Sequence, residues 1–196
     1  MMAGETFDPL DKRNVGDSIS RALLLEPLQS LPLTDRFYGP GIYALYYIGP
    51  LPIYARLAQR EQRDWPIYVG KAESKESSRT PLFSRINQHV GSIIQCSNLS
   101  PDDFLCRYLL VDDAWVRFAE ILTIEKYRPL WNSNCLPGIG GHPPGRGRGG
   151  QQQSLWDTLH PGRQHAANRP ANPMSVEEIE RRVLDFFEET VDQLPD

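Results

Sequence analysis

The chain has 196 residues, a mass of 22.3 kDa and a formal charge of −4, a size that suits one domain with embellishments or one domain with a tail. It has no apolar run long enough for a bilayer, and its first residues, MMAGETFDPLDKRNVG, lack the hydrophobic core of a secretory signal. Three cysteines (Cys96, Cys106, Cys135), an odd count without CxxC spacing, argue against a disulfide framework, so the expectation is a soluble, cytoplasmic protein with no membrane partner.

In chain order, residues 18–33 (SISRALLLEPLQSLPL) predict a short helix interrupted by Pro27 and Pro32. Residues 42–48 (IYALYYI) are aromatic and β-branched, with Gly-Pro turns on both sides, and predict a strand. Residues 51–64 are polar with a possible helical piece, and 66–70 (PIYVG) predict a second strand. Thr80-Pro81 is a helix start, and Leu82, Phe83, Ile86, Val90, Ile93 and Ile94 recur at helical spacing after it. The nearly all-apolar stretch 104–111 (FLCRYLLV) predicts a buried strand. Asp112 and Asp113 can cap a following helix that runs to about Tyr127 and stops at Pro129. From Asn132 to Asn172 the chain is Gly- and Pro-rich, yet Leu155, Trp156 and Leu159 interleave with arginines, which a mere linker would not need. Ser175 followed by Glu178 is a capping box opening a last helix over 175–190.

Charge is unevenly spread. From Lys126 to Pro173 there are six basic residues and one acid, whereas Met174–Asp196 holds eight acids against Arg181 and Arg182. A polyanion would be drawn to one face of such a molecule; the plainer alternative is solvated surface.

Three placements invite a chemical reading. Arg85 and His89 are four apart on the helix after Thr80, on a polar face with Gln88 and Ser92. Arginine offers a fork of donors suited to phosphate, and histidine moves protons near neutral pH. Glu120 lies among Val116, Ala119, Ile121, Leu122 and Ile124. A carboxylate there needs either a cationic side chain, for which Arg117 is a candidate, or a hard divalent cation. Tyrosines 43, 46, 47, 54 and 68 crowd the first two strands, as packing or, beside a cation, as acid–base groups. His160 and His165 have H-x₄-H spacing, but beside Cys135 and His142 there is no second cysteine and Gly and Pro fill the intervals, which argues against a zinc site.

In this order the pieces resemble the GIY-YIG nuclease superfamily. Gly41-Ile42-Tyr43 resembles the first motif, and Tyr68-Val69-Gly70, followed by Lys71, the second. The Arg85/His89 helix resembles the third, with His in place of the commoner Tyr, as in restriction-enzyme branches. Glu120, Pro129 and Asn132 in AEILTIEKYRPLWN resemble the Glu helix that closes on Pro-x-x-Asn. Tyr47-Ile48-Gly49 also spells YIG, but on the same predicted strand as GIY, so the second motif is assigned to Tyr68 and 49–66 becomes an insertion. Pro144–Arg163 is similar to a segment of the small dimeric type II restriction endonucleases that cut CCGCGG. Repair or mobile-element nucleases of the same superfamily, and a non-catalytic DNA-binding module, are the alternatives.

The resemblance implies an α+β fold, a small antiparallel or mixed three-stranded sheet flanked by helices, in a single domain. Its core is 37–132, with a basic DNA-recognition segment at 133–173 and an acidic helix at 174–196. It implies Mg²⁺ (Mn²⁺ substituting) held by Glu120, one ion per site, and phosphate bound by Arg85 and Tyr68. Tyr43 would accept the proton of water, with its pKa lowered by Arg85, Lys71 or the metal, and His89 would orient Tyr43 or share in proton transfer. Asn132 would brace the site. Arg146, Arg148 and Arg163, then Gln152 and its neighbours, are candidates for contacts to double-stranded DNA. A palindromic target implies a homodimer, with the N-terminal helix and 49–66 as candidate contacts. A restriction system implies a bacterial cytoplasm and a separately encoded methyltransferase.

Overall fold

The structure, a computed structural model, describes residues 11–139 and 152–191. Its centre is an antiparallel sheet of four strands: β1 (Gln29–Ser30), β2 (Gly41–Tyr47), β3 (Tyr68–Ala72) and β4 (Phe104–Leu110), in the spatial order β1-β4-β2-β3. The expected three strands are β2, β3 and β4. The additional β1 pairs Gln29 with Cys106 and Ser30 with Leu105. It falls within the stretch read as helix from residue 18. The helix there, α1 (Lys12–Leu25), instead starts earlier and ends before Pro27, which cannot supply the amide that continuation requires. No helix among the described residues is long and apolar enough to cross a membrane.

β2 is buried along its whole length, and its alternation sorts side chains between two layers. Tyr43, Leu45 and Tyr47 join Leu82, Ile86, Val90 and Ile93 of α3 (Pro81–Ile94). Ile42, Ala44 and Tyr46 face the opposite layer with Leu23 of α1 and Ala119 of α4 (Asp113–Tyr127). Thr80 precedes α3 without capping it through its side chain; its hydroxyl lies 3.2 Å from that of Ser84. Asp112 caps α4 by accepting from the Ala114 amide, and Arg128, at φ 43°, turns the chain out of the helix ahead of Pro129.

The 49–66 segment contributes a single-turn helix at Pro52–Tyr54 and the short α2 (Ala55–Ala58). It delivers Tyr54 into the core, where its hydroxyl accepts from Trp131 Nε1 at 3.1 Å and lies 2.7 Å from His160 Nε2. His160 Nδ1 lies 3.0 Å from Asn98 Oδ1, so a neutral ring with its proton on Nδ1 satisfies both contacts. Burial holds that ring neutral, pushing the His160 pKa down to about 3.

His160 follows α5 (Leu155–Leu159), whose Trp156 packs edge-on against Trp131. The short α6 (Gln164–Ala167) comes next, and α7 (Val176–Val191) buries Ile179, Val183 and Phe187 while its acids face outward. The capping box forms: Ser175 N–H donates to Glu178 Oε2 at 2.8 Å, and the Glu178 amide donates to Ser175 Oγ at 3.2 Å.

Arg163 is where this segment departs most from expectation. It is 1% exposed and donates from Nε to Asp157 Oδ1 (2.7 Å), from Nη1 to the Ile139 carbonyl (3.1 Å) and from Nη2 to the Gly138 carbonyl (2.9 Å). Its guanidinium also lies over the Trp156 ring. The fork suited to guanine or phosphate is thus spent inside the protein, clamping the C-terminal segment to residues 138–139, rather than presented at the surface as expected. Burial opposes ionisation of Asp157, but bonds from Arg163 and Ser154 outweigh it and keep the carboxyl below its usual range. Asp157→Asn leaves a buried guanidinium without its counter-charge. The expected cost is about 3 kcal/mol, read as a lowered urea midpoint at unchanged slope.

Candidate active site

The site forms at the outer edge of β3, where its two faces can be reached at once. Two glycines permit it. A Cβ on Gly41 would sit 2.1 Å from the Leu109 carbonyl oxygen, so only glycine lets β2 lie this close to β4 there. Tyr43 is directly opposite Gly70 in the register, and a Cβ on Gly70 would lie 2.5 Å from the Tyr43 hydroxyl. The phenol therefore lies across β3 in the space a side chain would fill. Gly70→Ala should displace that ring, at a cost of about 1–3 kcal/mol in stability and about a hundredfold in any reaction depending on its placement. A thermal melt and an activity rate on the same preparation measure both.

Tyr43, Tyr68 and His89 form an aromatic triangle, with ring centroids 6.0 Å apart for Tyr43–Tyr68, 5.7 Å for Tyr43–His89 and 5.0 Å for Tyr68–His89. His89 is 2% exposed, which corrects the reading of a shared polar face. Four residues overshoot one helical turn by about 40°, enough at the rim of an amphipathic helix to turn His89 inward. Arg85 stays half-exposed, with Nη1 donating to Gln88 Oε1 at 2.7 Å.

The Tyr43 hydroxyl is buried without a hydrogen bond of good geometry among the described residues, although the Tyr68 hydroxyl is near enough to couple to it. Its pKa is raised well above the ordinary phenol value, by burial first and then by Tyr68. Of the groups expected to lower it, Arg85 acts in that direction but is outweighed by burial. Burial also raises Tyr68, which senses both Arg85 and Glu120. Tyr68 is thus the link between the α3 side of the site and the α4 side.

Glu120 is pushed above its usual range by burial, and Lys71 only partly offsets this. Its partner is not Arg117, which is exposed, but Lys71, with Nζ 3.5 Å from Oε2. Lys71 also pairs with Glu73 at 2.8 Å. Glu73 escaped the sequence reading, although its position two residues after Lys71 on an extended chain places both on one face. Asn132 grips the free edge of β3: its Oδ1 accepts from the Val69 amide at 2.7 Å and its Nδ2 donates to the Val69 carbonyl at 2.8 Å.

A cleft of about 580 Å³ opens beside these groups, lined by Lys71, Glu73, Lys75, Ser78, Ser84, Arg85 and Gln88. Its cations and neutral donors suit an anion. Among the described residues no three His, Cys, Asp or Glu side chains converge as a metal cluster. A partly desolvated carboxylate whose near counter-charge is one lysine at 3.5 Å nevertheless fits a hard cation that keeps most of its waters. Of the remaining candidates, Gln152 is exposed, and Arg146 and Arg148 lie outside the described residues.

A family model described as the Eco29kI GIY-YIG domain matches residues 35–187, a stretch that takes in every side chain of this site. No curated protein matches the chain.

Proposed function

The chain belongs to the Eco29kI GIY-YIG domain family, and from that premise we propose that it is a type II restriction endonuclease. It hydrolyses phosphodiester bonds in double-stranded DNA at a GC-rich palindrome, CCGCGG by resemblance, and acts as a homodimer. The observation that carries this reading is the meeting of Tyr43, Tyr68, Lys71, Arg85 and Glu120 around the β3 edge, beside a cleft of anion-binding character.

Hydrolysis needs a water stripped of a proton, charge neutralised on the phosphate and a stabilised 3′ oxygen as it leaves. Arg85 and the Tyr68 hydroxyl bind the non-bridging phosphate oxygens. Glu120 would hold Mg²⁺, or Mn²⁺ in its place, which when bound supplies positive charge to the phosphate and the departing oxygen. Tyr43 accepts the proton of the attacking water. His89, packed against both phenol rings, keeps them in register, and Asn132 holds β3 so that Tyr68 and Lys71 keep their places. With Arg163 withdrawn, base reading falls to Arg146, Arg148 and Gln152. A methyltransferase encoded nearby would protect the host's own sites.

Digestion of a sequenced plasmid with and without Mg²⁺ tests the reading. The expected result is a discrete, metal-dependent ladder whose ends map to CCGCGG. Random nicking would replace it with a non-specific nuclease, and no cleavage with or without Mg²⁺ would replace it with a binding module.

A further inference from the structure

The Lys71 ammonium lies between two carboxylates, 2.8 Å from Glu73 Oε1 and 3.5 Å from Glu120 Oε2. The shorter contact is a charge-assisted hydrogen bond, and the longer lies beyond ordinary N–H···O range. Glu120 is the more enclosed of the two, its side chain 21% exposed against 53% for Glu73. An ammonium facing Glu120 alone would close on it, because attraction grows as separation shrinks and solvent screens an enclosed pair less. Something holds it back, and the closer contact identifies what. Glu73 is itself anchored: the next residue, Ser74, donates its amide to Asp113 Oδ1 at 2.8 Å, fixing this turn to the start of α4.

We infer that Glu73 is a positioning residue that draws Lys71 off Glu120 and so leaves that carboxylate open to a divalent cation. The inference rests on the metal-holding role proposed above for Glu120. A cation approaching Glu120 repels the ammonium beside it, and Glu73 is the acceptor toward which that ammonium retreats. Without Glu73 the lysine neutralises Glu120 directly and competes with the ion.

The test titrates Mn²⁺ alone into the full-length protein and follows free ion by electron paramagnetic resonance. Wild-type protein should bind, and Glu120→Gln should not. Glu73→Gln should raise the apparent Kd by about two- to fivefold, the scale of a partly exposed ion pair. Glu73→Asp should recover most of that loss, and Glu73→Gln should have no further effect in a Lys71→Met background. If Glu73→Gln binds as wild type while Glu120→Gln does not, the inference alone is overturned. It is overturned too if Glu73→Gln weakens binding equally without Lys71, because Glu73 then acts on the ion directly. If Glu120→Gln binds as wild type, the metal-holding role fails and the inference falls with it.

Discussion

Glu120→Gln should lower DNA cleavage by at least about a thousandfold, the scale on which removal of the charge at a phosphoryl centre is felt, and leave the fold intact. The fold survives because this carboxylate contributes little to it. Burial raises its pKa despite Lys71, so the charged form is less welcome in the folded protein than in water. A neutral amide of the same shape removes that penalty, and Lys71 retains Glu73 at 2.8 Å. Single-turnover cleavage of supercoiled plasmid, with a thermal melt and a duplex-binding isotherm on the same variant, separates chemistry from folding and from substrate affinity. Cleavage within tenfold of wild type, with the melt unchanged, would remove Glu120 from the reaction.

Local pattern and spacing anticipated the elements that build the site. The aromatic run over 42–48 became β2 and the apolar repeat after Thr80 became α3. Assigning the second motif to Tyr68 rather than Tyr47 agrees with the pairing, since Tyr43 faces Gly70 across β2 and β3 while the Tyr47 hydroxyl accepts from the Leu51 amide. What escaped the reading is set by contacts distant in sequence. β1 is two residues long and gains its definition only from β4. His89 turned inward because two tyrosine rings from other strands make a place for it. Arg163 reads as a surface cation until Asp157 and the carbonyls of residues 138 and 139 are seen around it. Composition reports how many charges a segment holds, and it says nothing of which one finds a buried partner.

Tyr43→Phe should lower cleavage by about a hundred- to ten-thousandfold, the range of a lost general base, and should also change how the rate depends on pH. On the proposed mechanism the working form of Tyr43 is the phenolate, whereas the buried hydroxyl ionises only well above the usual phenol value. Over neutral and mildly alkaline pH the phenolate is therefore a small fraction that grows about tenfold per pH unit. The wild-type single-turnover rate should climb with that slope and show no plateau near neutrality. The compensation for scarcity is strength, because a phenolate stabilised so little is a strong proton acceptor. Tyr43→Phe should flatten the profile while leaving duplex affinity unchanged, since Arg85 and Tyr68, the phosphate-binding groups of the proposed mechanism, remain. A wild-type profile already level at neutral pH would mean either that Tyr43 is fully ionised in the working complex, its pKa there low rather than high, or that the proton leaves water by another route; Tyr43→Phe cutting at the wild-type rate would decide for the second and exclude the phenol from the proton's path.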